Sequence, residues 1–136
     1  MSAEIDTAVA NYLLDTTALV YFLNGRQEVV DLVNSLAGPR DRLGVCCVSV
    51  AELFAGTNQE RRAAANRLIG VMDYYDVSLA VAKEAGRYSY EFARRGTPLS
   101  TTDTLIAATA IAEDATLITA NIKDFPMEEI QLLEQP

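Results

Sequence analysis

Asp15, Glu52, Asp103 and Asp124 lie far apart in the chain, and each falls where an apolar, strand-like run gives way to a turn or helix. In an open parallel α/β sheet the C-terminal strand ends face one crevice, so acids at several of those ends converge on one site. The chain contains no histidine. Carboxylates gathered without imidazole or thiolate suit a hard divalent ion such as Mg²⁺ or Mn²⁺ better than zinc. The chemistry this predicts is metal-assisted attack on a phosphate.

Taken singly, each acid has a plain structural role. Asp15 can cap a helix, Ser49-x-x-Glu52 reads as a capping box, Asp103 suits the first turn of a helix dipole, and Asp124 can close an Asx turn. Taken together they say more. A capping acid need not follow a strand, yet Asp15, Glu52 and Asp124 stand at or just beyond strand-like runs and Asp103 opens the most apolar helix. Ionised carboxylates brought close together repel and push a pKa upward, a strain that a bound cation relieves.

The elements that must position these acids follow from periodicity. NYLLD at 11–15 reads as a short strand, and Thr16 and Thr17 can start a helix carrying Ala18, Leu19, Phe22 and Leu23. Val29, Leu32, Val33 and Leu36 predict a second helix, ended by Gly38-Pro39. Leu43 to Val48 reads as a buried strand, with a helix from Ser49 through Phe54. Residues 59–72 predict a helix with Ala64, Leu68, Val71 and Met72 on one face. A brief strand at Tyr74 to Leu79 leads into an amphipathic helix with Val81, Ala85, Tyr88 and Phe92 in register, stopped by Gly96. Residues 102–113 are apolar nearly all round and predict a helix buried against a sheet, followed by strands at Ala115 to Thr119 and Ile130 to Leu133. Such alternation implies an α/β fold of three layers, a mostly parallel central sheet flanked by helices on both faces.

At 136 residues and 50% apolar composition, the chain fits one compact domain. No repeat or linker divides it, so residues 1–10 are expected to be a tail and 11–136 the domain. Cys46 and Cys47, adjacent in the predicted strand, would point to opposite faces and stay reduced. The start is acidic and carries no basic n-region, and no run approaches the ~18 apolar residues of a membrane span. The expected setting is the cytoplasm, with no membrane partner. A net charge of −8 disfavours general binding to polyanions, so any contact with RNA must be local. Arg94, Arg95 and Lys123, near Asp103 and Asp124 in sequence, are candidates to steer phosphates, although Arg95 can instead pair with Glu91.

The motifs follow one another in a telling order: Asp15-Thr16, Ser49-x-x-Glu52-Leu53, Asp103-x-x-Ile106-Ala107-Ala108-x-Ala110, and Leu117-Ile118-Thr119-x-Asn121-x-x-Asp124-Phe125. As a set this resembles the PIN-domain nucleases, and within them the VapC-type toxins of toxin–antitoxin pairs, over about residues 11–133. The resemblance implies a PIN-like fold and an Mg²⁺ site, with Mn²⁺ able to substitute, made by Asp15, Glu52, Asp103 and Asp124. Asn121 occupies a place that some relatives fill with Asp, so the fourth ligand is shared between Asn121 and Asp124 or reaches the metal through water.

The expected activity is endoribonuclease action as the toxin of such a pair, with a metal-activated water attacking the phosphodiester and Thr16 and Thr119 supporting the ligands or phosphate oxygens from behind. Without histidine no paired imidazole acid and base is available, so hydrolysis leaving a 5′-phosphate is expected over attack by the ribose 2′-hydroxyl. The partners the resemblance implies are an RNA substrate, a cognate antitoxin and a second copy of the chain. Tyr21, Phe22, Phe54 and Met72 are candidate walls for an antitoxin groove, or core. A free-standing RNA-processing nuclease and an inactive partner-binding module are the alternatives. A haloacid-dehalogenase-like phosphotransferase is disfavoured, because Thr17 stands where its second acid would be.

Overall fold

The structure, a computed structural model, describes residues 10–36, 38 and 41–136. Residues 1–9 of the expected tail at 1–10, and Pro39 of the expected helix stop, lie outside the described residues. Five strands form one sheet: β1 (Asn11–Leu14), β2 (Arg42–Cys46), β3 (Asp73–Tyr75), β4 (Thr116–Thr119) and β5 (Gln131–Glu134). The helices are α1 (Thr16–Leu23), α2 (Gln27–Leu36), α3 (Cys47–Ala55), α4 (Arg62–Gly70), α5 (Leu79–Arg94) and α6 (Thr101–Ala112). The strand order is β3-β2-β1-β4-β5, and all neighbours are parallel.

Strand periodicity splits the core in two. Leu13 and Leu117 enter one apolar cluster with α5 and α6, whereas their neighbours Leu14 and Ile118 enter the other with α1 to α4. The sheet is thus covered on both faces, as the alternation implies. In α5, Val81, Ala85, Tyr88 and Phe92 are the buried residues, and Gly96 follows the helix with φ of 79°, a conformation glycine adopts without a Cβ penalty. Six of the twelve residues of α6 are buried, Ile106, Ala107, Ala108 and Ala110 among them, which explains its uniformly apolar sequence.

Several expected boundaries shift. β2 ends at Cys46, where its ladder with β3 ends opposite Tyr75, and Cys47 is already helical. Both cysteines are free and pack against the same cluster rather than on opposite faces, because only Cys46 belongs to the strand. β3 is confined to 73–75, with Ser78 capping α5 through a 3.1 Å bond from Val81 N–H. The segment from 59 starts as a 3-10 turn and its α-helix stops at Gly70. Ala65, not Ala64, is its buried alanine, and Val71 is 83% exposed. Val71 misses the core because it lies past the last helical turn.

Candidate active site

Strand order reverses direction at β1: β2 and β3 lie to one side of it, β4 and β5 to the other. In doubly wound sheets the crevice beyond the C-terminal ends of two such strands is where ligands bind. Asp15 directly follows β1, and its N–H donates to Ile118 O of β4 at 3.1 Å. At that crevice a cleft of about 210 Å³ is lined by Asp15, Thr16, Thr17, Glu52, Asp103, Ile106, Asn121, Asp124 and Phe125. The four acids, more than a hundred residues apart at the extremes, thus meet in one place.

Each arrives on a different element. Asp15 is buried and caps α1, its Oδ1 accepting from Ala18 N–H at 2.8 Å. The capping role is therefore real, and it fixes the carboxylate without using up all of its lone pairs. Asp103 sits in the first turn of α6, whose cap Ser100 accepts the Asp103 N–H at 3.1 Å. Asn121 and Asp124, both exposed, belong to the loop and 3-10 turn after β4.

Glu52 reaches the cleft from α3, and here the expected capping box is corrected. Ser49 does not start the helix; it is fully buried inside α3, one turn before Glu52 and on the same face. The Thr16 hydroxyl donates to Glu52 and lies 3.2 Å from the Ser49 hydroxyl. The Ser-x-x-Glu spacing therefore ties α3 to the start of α1. Ser49 is a supporting residue that its local pattern assigned to another task, and only the position of Thr16 reveals it.

Thr119, fully buried at the end of β4, accepts the Asn121 N–H at 2.9 Å, and its hydroxyl lies near enough to Asp15 to favour the charged carboxylate. One hydroxyl thereby stands between the central carboxylate and the loop that carries Asn121 and Asp124.

Burial pushes the Asp15 carboxyl above the usual aspartate range; Thr119 and Ala18 pull it partly back, and the charges of Asp103 and Asp124 raise it again. Asp103 is raised for the same leading reason, burial, with Ser100 opposing and Asp124 and Glu52 adding to the rise. Among the described residues no Lys or Arg forms an ion pair with any of the four. The lining polar groups offer hard oxygens, and neither cysteine is among the residues that line the cleft. This donor set fits a divalent ion that prefers oxygen. No three carboxylates among the described residues stand close enough to form a finished cage, so an ion there would draw them inward or complete its shell with water.

The expected phosphate-steering residues do not line this cleft. Arg94 stacks over Tyr90 at 4.0 Å and Arg95 over Phe92 at 4.8 Å, on α5 and its cap. Arg95 does not pair with Glu91, which is taken by Arg87 at 3.1 Å. Lys123 is exposed beside Asp124 but outside the lining set. Tyr21, Phe22, Phe54 and Met72 are half-buried against the α1–α4 cluster.

A parallel α/β domain with an all-oxygen acidic cleft at its switch point defines the class of protein. The model of the PIN domain matches residues 12–126. Ribonuclease VapC19 of Mycobacterium tuberculosis is 30% identical over 115 residues, covering 85% of this chain and 92% of that protein. Ribonuclease VapC2 of Rickettsia felis is 29% identical over 119 residues, covering 84% and 89%. Among solved structures, VapBC2 from Rickettsia felis bound to a DNA fragment from their promoter matches with a TM-score of 0.81 at 26% identity, over 91% of this chain and 98% of that one. VapBC-1 from nontypeable Haemophilus influenzae matches at 0.78 and 25%, over 91% and 97%. The chain belongs to the PIN-domain family, in its VapC-like branch.

Proposed function

We propose that this chain is an Mg²⁺-dependent endoribonuclease and the toxin of a toxin–antitoxin pair, hydrolysing RNA phosphodiester bonds with water. The observation that carries the reading is the cleft itself: four carboxylates converging at the switch point, two of them raised in pKa, with no basic partner among the described residues. Relatives named as ribonucleases and structural neighbours named as VapBC support the substrate class and an antitoxin partner. A homodimer, and a cytoplasmic setting, belong to the same reading. Among the described residues no helix is long and apolar enough to cross a membrane.

Asp15, Asp103 and Asp124 would hold the ion, with Glu52 as a further ligand or the group that orients the attacking water. A bound divalent ion supplies the positive charge that neutralises the phosphate and acidifies a water. Asp124 is preferred over Asn121 as a direct ligand because its charge acts on both Asp15 and Asp103. Thr119 favours the charged form of Asp15, while Thr16, itself beside Ser49, holds Glu52.

The test is RNA cleavage by the antitoxin-free protein in Mg²⁺, Mn²⁺ or chelator, with end analysis of the products. The expected result is metal-dependent cleavage leaving 5′-phosphates, abolished in Asp103→Asn. Products ending in a cyclic phosphate would sink the hydrolytic mechanism.

A further inference from the structure

Glu52 lines a second cavity as well as the acidic cleft. This neighbour, of about 230 Å³, is bounded by Val20, Leu23, Leu53 and Gly56 and by the polar residues Asn24, Thr57, Asn58 and Arg61. Because the two spaces share a wall, a chain with a phosphate in the cleft can continue into the second.

Arg61 is the basic residue of this cavity, and the fold holds it at both ends. Its backbone N–H donates to Asn58 Oδ1 at 3.0 Å, which closes the 3-10 turn before α4. Its guanidinium reaches across to α1, where Nη2 donates to Leu23 O at 3.0 Å and Asn24 Oδ1 at 3.2 Å. No carboxylate pairs with it among the described residues. The remaining guanidinium donors, in a planar fork suited to phosphate, are left without a protein partner there. The side-chain amide N–H groups of Asn24 and Asn58 likewise have no partner among the described residues. In a chain of net charge −8, this places a pinned guanidinium with no ion pair among the described residues in the cavity next to the acidic cleft, with Glu52 on the shared wall.

We infer that this cavity receives the nucleotide next to the scissile bond of a single-stranded RNA, with Arg61 binding its phosphate and Asn24 and Asn58 bordering the base. The inference rests on the ribonuclease reading. It answers how an acidic protein holds a polyanion: by a local contact at the cleft wall rather than a broad basic surface. Single-stranded RNA fits because unstacked bases can enter such a pocket, whereas a duplex keeps them paired.

The test uses Arg61→Gln, which keeps hydrogen-bond donors for Leu23 and Asn24 but removes the charge, with Arg61→Lys as a charge-retaining control. Binding of a short random-sequence single-stranded RNA pool is measured in the Asp103→Asn background across a salt series, and cleavage kinetics in the otherwise wild-type chain. Arg61→Gln is expected to weaken binding about tenfold and to reduce the slope of log Kd against log salt by about one, with KM raised and kcat nearly unchanged. Arg61→Lys is expected to keep the salt slope. Unchanged KM and slope, with or without a lowered melting temperature, would make Arg61 only a clamp between α1 and α4 and overturn the proposal while leaving the ribonuclease reading intact. A wild-type chain that neither binds nor cleaves RNA would remove both.

Discussion

Two groups of acids in this molecule share the same chemistry and meet opposite fates. On α5, Glu84 and Glu91 close around Arg87 at 2.9 and 3.1 Å, and Glu129 approaches it at 3.5 Å. In the cleft, Asp15, Glu52, Asp103 and Asp124 gather with no such centre. The result is a reversal of pKa direction: Arg87 holds Glu84 below the usual range, while burial lifts Asp15 and Asp103 above theirs. The surface cluster carries its own counter-ion on the same helix, at spacings of three and four residues, and is at rest. The cleft lining supplies only one sign of charge, so a bound cation would recover its electrostatic cost.

Replacing a cleft acid should give the largest change. Asp103→Asn is expected to lower kcat/KM for RNA by about 100-fold or more, and calorimetry should show Mn²⁺ binding to the wild type that the variant lacks. Retained metal binding would mean that the cleft is not the metal site. Next in size is the thermal response. Mn²⁺ at 100 times its Kd should stabilise the wild type by about 2.7 kcal/mol, seen as a raised melting temperature, and Asp103→Asn should not respond.

The same substitution should act the other way on the metal-free protein. A carboxyl whose pKa rises on folding costs stability when ionised. Metal-free Asp103→Asn should therefore be more stable than wild type at neutral pH, with the gap closing as pH falls through the raised Asp103 pKa and absent below the unfolded value. The lowered Glu84 works in the opposite sense: its contribution is present above the unfolded pKa and lost as pH falls through the folded one. Denaturant melts across an acid pH series separate the two.

Asp15 combines both kinds of role. Asp15→Asn should keep the α1 cap and lose activity, whereas Asp15→Ala should lose both and be less stable than Asp15→Asn by about 1 kcal/mol. Equal stability of the two would show that the bond to Ala18 is not supporting the helix. The smallest effect is expected from Arg87→Ala, which should leave metal binding and cleavage unchanged, because its ion pairs are exposed and solvent screens them. A loss of activity there would mean that the α5 cluster is coupled to the cleft.

Local pattern carried much of this fold. The register of α5 matches its buried face residue for residue, and α6 is buried nearly all round as its alanines require. Both depend on side-chain spacing along a single helix, which the chain displays directly. The four acids were legible for a related reason: Asp15, Glu52 and Asp124 stand at or just beyond apolar runs whose strands aim their ends at one crevice, and Asp103 opens the most apolar helix. The starts and stops of α3, α4 and β3 were less legible, because they depend on where a ladder ends or a helix meets its neighbour. Cys47 turns helical where β2 runs out of pairing with β3, and nothing within residues 43–48 signals that point.

The cations divide in the same way. Arg94, Arg95 and Lys123 are near the acids in sequence and yet line another surface or none. Arg61, 37 residues from Asn24, lines the cavity next to the cleft because α1 and the turn before α4 are packed together. Sequence alone thus determined the alternation of strands and helices, the two buried faces of α5 and α6, and the identity of the clustered acids. Only the tertiary structure decided that Ser49 supports Thr16 rather than capping a helix, and that Arg61 lines the cavity sharing Glu52 with the cleft. Periodicity and capping are written in neighbouring residues, whereas these contacts join residues 33 to 38 positions apart and exist only once the helices have packed.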